Sequence, residues 1–308
     1  DHDDRMSSLE AIAEGTYAMI ASAFPVCAGS DEFYFFPQVV QEEKDWRAWD
    51  DFSAQTVGAA ADLMRGRERD LSRLLIDDLS EDGQVDAELL LQLLRTLREQ
   101  LVDVGPHRSQ PSFHLTVLAA GLAEALASPE PLAWPERVAG APAFLTRAAD
   151  CLNKVPGVFL ALGTEMLRDM QRWIESLQAS GFETGEMSSA LLVFRDAMQQ
   201  VEVIESHLLP EQVLERLILE HIGSGMSIDS IALLLQEELN MMEDVLAQET
   251  ARLAPGRTWI EAEQLIPFVE ATGNELLAVY RRELEVIETH CRRHGLVPDG
   301  APADAPLD

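Results

Sequence analysis

The sequence predicts an all-α protein, a multi-helix bundle of roughly ten or more helices. Three observations predict it. Leu, Ala, Glu, Gln, Arg and Met dominate, while the β-branched and aromatic residues that favour strands are sparse. Apolar residues recur at helical spacings over most of the 308 residues. Cap and stop signals punctuate the final third. At 47% hydrophobic, the chain can bury a sizeable core. The expected layout is one helical domain over residues 1–297 and a flexible Pro/Ala/Asp-rich tail over 298–308.

Each element follows from its residues. Ser8 to Ala23 carries Leu9, Ile12, Ala13, Tyr17 and Ile20 at helical spacing, and Pro25 ends that run. Phe33, Tyr34, Phe35 and Phe36 come next. Four adjacent aromatics point to all sides, so this segment is either buried or a contact surface, burial being the commoner outcome. Asp45–Arg65 reads as a helix with Trp46, Trp49, Phe52, Val57 and Leu63 on its apolar side. From Asp86 onward, Leu89, Leu90, Leu93, Leu94, Leu97 and Leu101 form a broad stripe that Gly105 and Pro106 break. Phe113–Ala127 is apolar on most faces and therefore central, and Pro129, Pro131 and Pro135 form the loop after it. Helices are expected over Pro135–Val155, Val158–Ser180 and Ser188–Glu205.

Ser227 can cap a long helix that turns Ile228, Ile231, Leu234, Leu235, Leu239, Met242 and Leu246 inward, stopped by Pro255-Gly256. Thr258 with Glu261, and Thr272 with Glu275, fit capping boxes. The last helix is expected to bury Leu276, Leu277, Tyr280, Leu284, Ile287 and Cys291 before Gly295.

Charge narrows the partners. Fifty-four acidic residues against 23 Lys and Arg leave a net charge of −31. Such a surface repels phosphate backbones and anionic lipid, so nucleic acid is excluded as a partner. No run of about 18 apolar residues exists, so no membrane span is expected. Three widely spaced cysteines, Cys27, Cys151 and Cys291, form no disulfide framework and fit a reducing, cytoplasmic compartment. The chain opens on Asp1 without a visible signal peptide, which leaves a removed leader open.

The search for chemistry returns little. No His is followed by Glu, so the H-E-x-x-H pattern of zinc peptidases is absent. His290 and His294 share a helix face and could hold a metal as a pair. They also occupy a basic last turn, where His complements the negative end of the helix dipole, and that reading is preferred. No nucleophile elbow, phosphate loop or C-x-x-C occurs, and no cofactor is predicted. Phe33–Phe36, with Trp46 and Trp49, could instead line a small-molecule pocket or a contact surface.

Some segments resemble a known family. They are Phe24-Pro25-Val26 through Asp86-Ala87-Glu88-Leu89-Leu90, Pro111-Ser112-Phe113-His114-Leu115, and Trp134-Pro135-Glu136-Arg137. Ala143-Phe144-Leu145, Pro255-Gly256-Arg257-Thr258-Trp259 and His294-Gly295-Leu296-Val297-Pro298 continue the series. Together they resemble the N-terminal helical half of a bacterial family of zinc-metallopeptidase-like proteins (domain of unknown function 885). In that family the zinc helix lies C-terminal to this region, so no catalytic residue carries over. The resemblance implies a non-catalytic wall of a substrate channel. A catalytic metallopeptidase-like chain or domain is then the implied partner, and a homo-oligomer is also compatible. The sequence therefore leads to a non-catalytic interaction or scaffold protein. The alternative is a metal-dependent hydrolase or small-molecule binder with a non-standard site.

Overall fold

A computed structural model describes residues 2–39, 44–74, 79–223, 225–267 and 272–296. The expected flexible tail, 298–308, lies outside the described residues. The chain is all-α, 73% helical, with one short two-stranded bridge among the described residues. It groups into two compact units, residues 1–228 and 229–308.

The first unit opens with α1 (His2–Ala23) and the one-turn α2 (Pro25–Gly29). Pro25 ends α1 and starts α2, since a proline lacks only an N–H that the first turn does not use. Next come α3 (Ala54–Arg73) and α4 (Glu81–Glu99), then a π-helical turn, Gln100–Val104, that Gly105 closes at φ 59°. The chain continues through α5 (Pro106–Ser109), α6 (Pro111–Ala127) and α7 (Ala133–Cys151). The first strand, β1 (Lys154–Pro156), leads to α8 (Gly157–Ala179) and α9 (Met187–Met198), after which β2 (Glu202–Ile204) pairs back on β1. Last is α10 (Glu211–Leu217), with a second π-helical turn over Ile218–Ile222.

Helix α6 is central. It packs on α7 and α8 and also meets α2 and α5, burying Phe113, His114, Leu115, Val117, Leu118 and Leu122. Flanking it, α7 packs on α9, and α3 packs on both α1 and α4. Phe24 and Phe36 sit edge to face at 5.3 Å, and Phe33 meets Phe113 at 5.7 Å.

The first unit departs from the sequence reading at three places. The helix expected from Asp45 begins only at Ala54. Asp45 accepts hydrogen bonds from the N–H groups of Arg47 and Ala48, and Asp51 accepts from Ser53 N–H and the Thr56 hydroxyl. Side chains that bind nearby backbone in this way compete with helix, and Ser53 then caps α3 by accepting from Thr56 N–H at 3.3 Å. The helices expected to reach Val155 and Glu205 give way instead to β1 and β2. These pair in parallel, with Lys154, Val155 and Pro156 opposite Glu202, Val203 and Ile204. Pro156 drives Val155 to extended backbone, and Val203-Ile204 are strand formers. Pro135 lies inside the first turn of α7 rather than in the loop before it.

The second unit holds α11 (Ile228–Leu253), α12 (Trp259–Glu263) and α13 (Asn274–Arg293). Thr258 and Glu261 form the reciprocal capping box. Thr272 does not cap α13, because Gly273 at φ 54° takes the N-cap position without a side-chain bond. The stripes expected to face inward do not. No residue of α11 or α13 is buried; Leu235, Met242, Tyr280 and Ile287 are all more than half exposed. Three helices in a unit this short offer too little surface to cover two full apolar stripes.

Candidate functional site

Two neighbouring polar groups are set into the first unit, and the Asp45–Phe52 stretch builds both. Pulled off a helical path, it turns Trp49, Asp50 and Phe52 toward α2, α6 and α7. Asp50 accepts from Val26 N–H at 2.6 Å and Cys27 N–H at 3.2 Å, satisfying the open first turn of α2. Arg137 of α7 is 0% exposed. Its Nη2 donates to the Asp45 carbonyl at 2.8 Å and stands 3.9 Å from the Glu124 carboxylate, while Nε and Nη1 have no partner. Trp49 stacks on Phe144 at 4.8 Å, carries the Arg137 guanidinium over its face at 5.1 Å, and donates Nε1–H to the Arg137 carbonyl at 2.9 Å. Gly121 makes this approach possible, since a Cβ there would lie 2.5 Å from Arg137 Nη1 and 2.6 Å from the Trp49 ring.

Burial dominates the ionisation of this group. It pushes Asp50 up to about 6 against the bonds from Cys27 and Val26. It also pushes Glu124 up to about 7, against the lowering pull of Arg137 and Lys44. The Cys27 thiol is raised by its own burial and then by Asp50, which keeps it an unreactive thiol. Between its ordinary value of 4.5 and about 7, Glu124 holds a proton that the unfolded chain has released. The stability it contributes is therefore present at low pH and lost as pH rises through that window. Glu124→Gln should gain stability relative to the parent between about pH 5 and about pH 8. Urea midpoints at the two values check this; a constant difference would contradict it.

The second group opens to solvent. A cleft of about 460 Å³ lies between the start of α3, the π-helical turn after α4, α5 and the end of α7. Phe52, Val57, Leu101 and Val102 form its apolar wall, and Gly58 leaves an open gap in it. Arg108, Arg147, Asp150 and Cys151 supply its polar atoms. Arg147 and Cys151, one helical turn apart on α7, share a face. Arg108 is held by donating to the Val102 carbonyl at 2.6 Å. Arg147 makes no hydrogen bond or ion pair among the described residues; its Nε is buried without a partner, and its charge acts on Asp51 from farther away.

Phe52, Arg147 and Cys151 also line a void of about 10 Å³ shared with Asp50, His114 and Phe144, which is room for one water. His114 Nε2 lies 2.7 Å from the His107 carbonyl, so the neutral ring donates there. Burial lowers His114 to about 4, and burial followed by the charges of His114 and Arg108 lowers His107 to about 3. Burial, then Asp51 and Asp150, raises the Cys151 thiol to about 11. Neutral imidazoles and a protonated thiol suit recognition better than nucleophilic attack.

The residues singled out from sequence lie elsewhere. Phe33, Phe35 and Phe36 are core, while Tyr34 is 79% exposed. Trp46 is half-buried with Lys44 over its ring at 5.4 Å, and Trp49 belongs to the buried Arg137 group. His290 of α13 and His294 at its C-cap lie with ring centroids 4.4 Å apart, and no group of three metal-ligating side chains occurs among the described residues. Among the described residues, no helix is long and apolar enough to cross a membrane. Sequence reasoning missed Asp50, Arg108, Arg137 and Arg147. The one local signal was His107-Arg108 immediately after the Gly105-Pro106 break. No family model, curated protein or solved structure matches this chain.

Proposed function

We propose that the first unit is a non-catalytic binding module that takes a small amphipathic molecule in the cleft between α3, α5 and α7. One observation carries this reading: the cleft, of about 460 Å³, joins an apolar wall to a few polar groups. Ligand sites of globular proteins combine those two features at this size. The raised Cys151 thiol and the neutral His107 argue against chemistry on the bound molecule.

Gly58 supplies the test. It lies in α3 on the cleft wall, and a Cβ there meets nothing within 4 Å. Gly58→Trp should fill the cleft without disturbing the core. Saturation-transfer NMR on the full chain with octanoate, octanamide and octylamine should show binding of at least one probe. That signal should disappear in Gly58→Trp, and equal signals from both proteins would contradict the proposal.

A further inference from the structure

We infer that the cleft selects an amphipathic anion, its head paired with Arg147 and its apolar body laid along Phe52, Val57, Leu101 and Val102. This rests on the binding reading above and names the class of ligand. Arg147 leads to it, since it lines the cleft and makes no ion pair among the described residues. In a chain of net charge −31, a guanidinium ought to find a carboxylate easily. Arg98 and Arg216 do so at 2.8 and 2.5 Å. Arg147 makes no hydrogen bond or ion pair among the described residues, although its charge acts on Asp51 from farther off and Asp150 lies nearby. Asp51 is already occupied: it accepts from the Ser53 N–H at 2.9 Å and from the Thr56 hydroxyl at 2.5 Å. Asp150 is exposed at the cleft, where water solvates it.

The cleft lining thus presents two guanidiniums and one exposed carboxylate, with Asp51 nearby but turned to Ser53 and Thr56. Arg108 spends one donor on Val102 and keeps its charge facing the same space. Arg147 Nε is closed to solvent, so an incoming oxyanion would accept from the Nη groups. The planar fork of Arg suits a carboxylate or a phosphate ester, so the shared chemistry is an anionic head on an apolar body. Discrimination against a neutral head then comes from leaving the guanidinium unpaired.

Calorimetric titration of the full chain with octanoate, octanamide, octyl phosphate and octylamine tests this. Octanoate or octyl phosphate should bind about tenfold or more tighter than octanamide. Arg147→Gln should erase that preference while retaining weak octanamide binding, and Arg147→Lys should restore part of it. Whichever anion binds tighter identifies the head. Equal affinity for octanoate and octanamide, with both lost in Gly58→Trp, would overturn the anion inference and leave the binding module intact. Tighter octylamine would overturn it in favour of Asp150. If no probe bound, both the inference and the module would fall.

Discussion

Truncating Phe52 to Ala should destabilise the first unit by about 3–5 kcal/mol, the usual cost of removing a buried aromatic ring. Phe52 is 3% exposed and forms a hub. It stacks on Phe24 at 5.2 Å and His107 at 5.6 Å, and it meets Phe113 edge-on at 5.0 Å. Those partners come from the start of α2, from α5 and from α6, so no single movement can close the space left behind. Phe52 also lines both the open cleft and the void beneath it, and the truncation would join the two. Urea unfolding should show an earlier midpoint for the first unit with its slope unchanged. A loss below about 1 kcal/mol would contradict the hub.

The second large effect concerns Arg137. Arg137→Ala should cost about 3–5 kcal/mol, whereas Arg137→Met should cost much less at mildly acidic pH. Alanine removes the ring contact with Trp49 and the donor to Asp45, and it leaves Glu124 and Asp50 without their shared cation. Methionine refills the volume against Trp49. Because Glu124 already titrates near about 7 and Asp50 near about 6, both carboxyls can be neutral below that range. The penalty for losing their partner should therefore grow as pH rises past about 7. Chemical denaturation of both variants across that range separates packing from charge. A cost for both variants that stays constant across that pH range would mean the buried charge contributes nothing.

The all-α class was legible because it is written in local pattern. The Leu90, Leu94 and Leu97 stripe of α4 and the apolar surround of α6 bury as the 3.6-residue period requires. The Thr258–Glu261 box closed as its spacing implies. Asp45–Ser53 misled for a physical reason. Trp46, Trp49 and Phe52 recur every three residues as on a helix, yet Asp45 and Asp51 bind their own backbone and hold that stretch open. The stripes of α11 and α13 are amphipathic as read, but periodicity states only that a face is apolar, not what covers it.

The candidate site was illegible for a different reason. Phe52, Arg108 and Arg147 lie far apart in sequence and meet only through the packing of α3, α5 and α7. Nothing local distinguishes Arg147, which lacks a partner, from Arg137, which is buried among several. Trp49, expected from sequence to line a pocket or contact surface, packs on Phe144 and under Arg137.

Binding of a small amphipathic molecule in the cleft can be seen directly. A crystal structure of the full chain soaked with octanoate tests it most directly. The account predicts density along Phe52, Val57 and Leu101, with the carboxylate within hydrogen-bonding distance of Arg147. An empty cleft beside a fully hydrated Arg147, with the probe bound only on other surfaces, would contradict it.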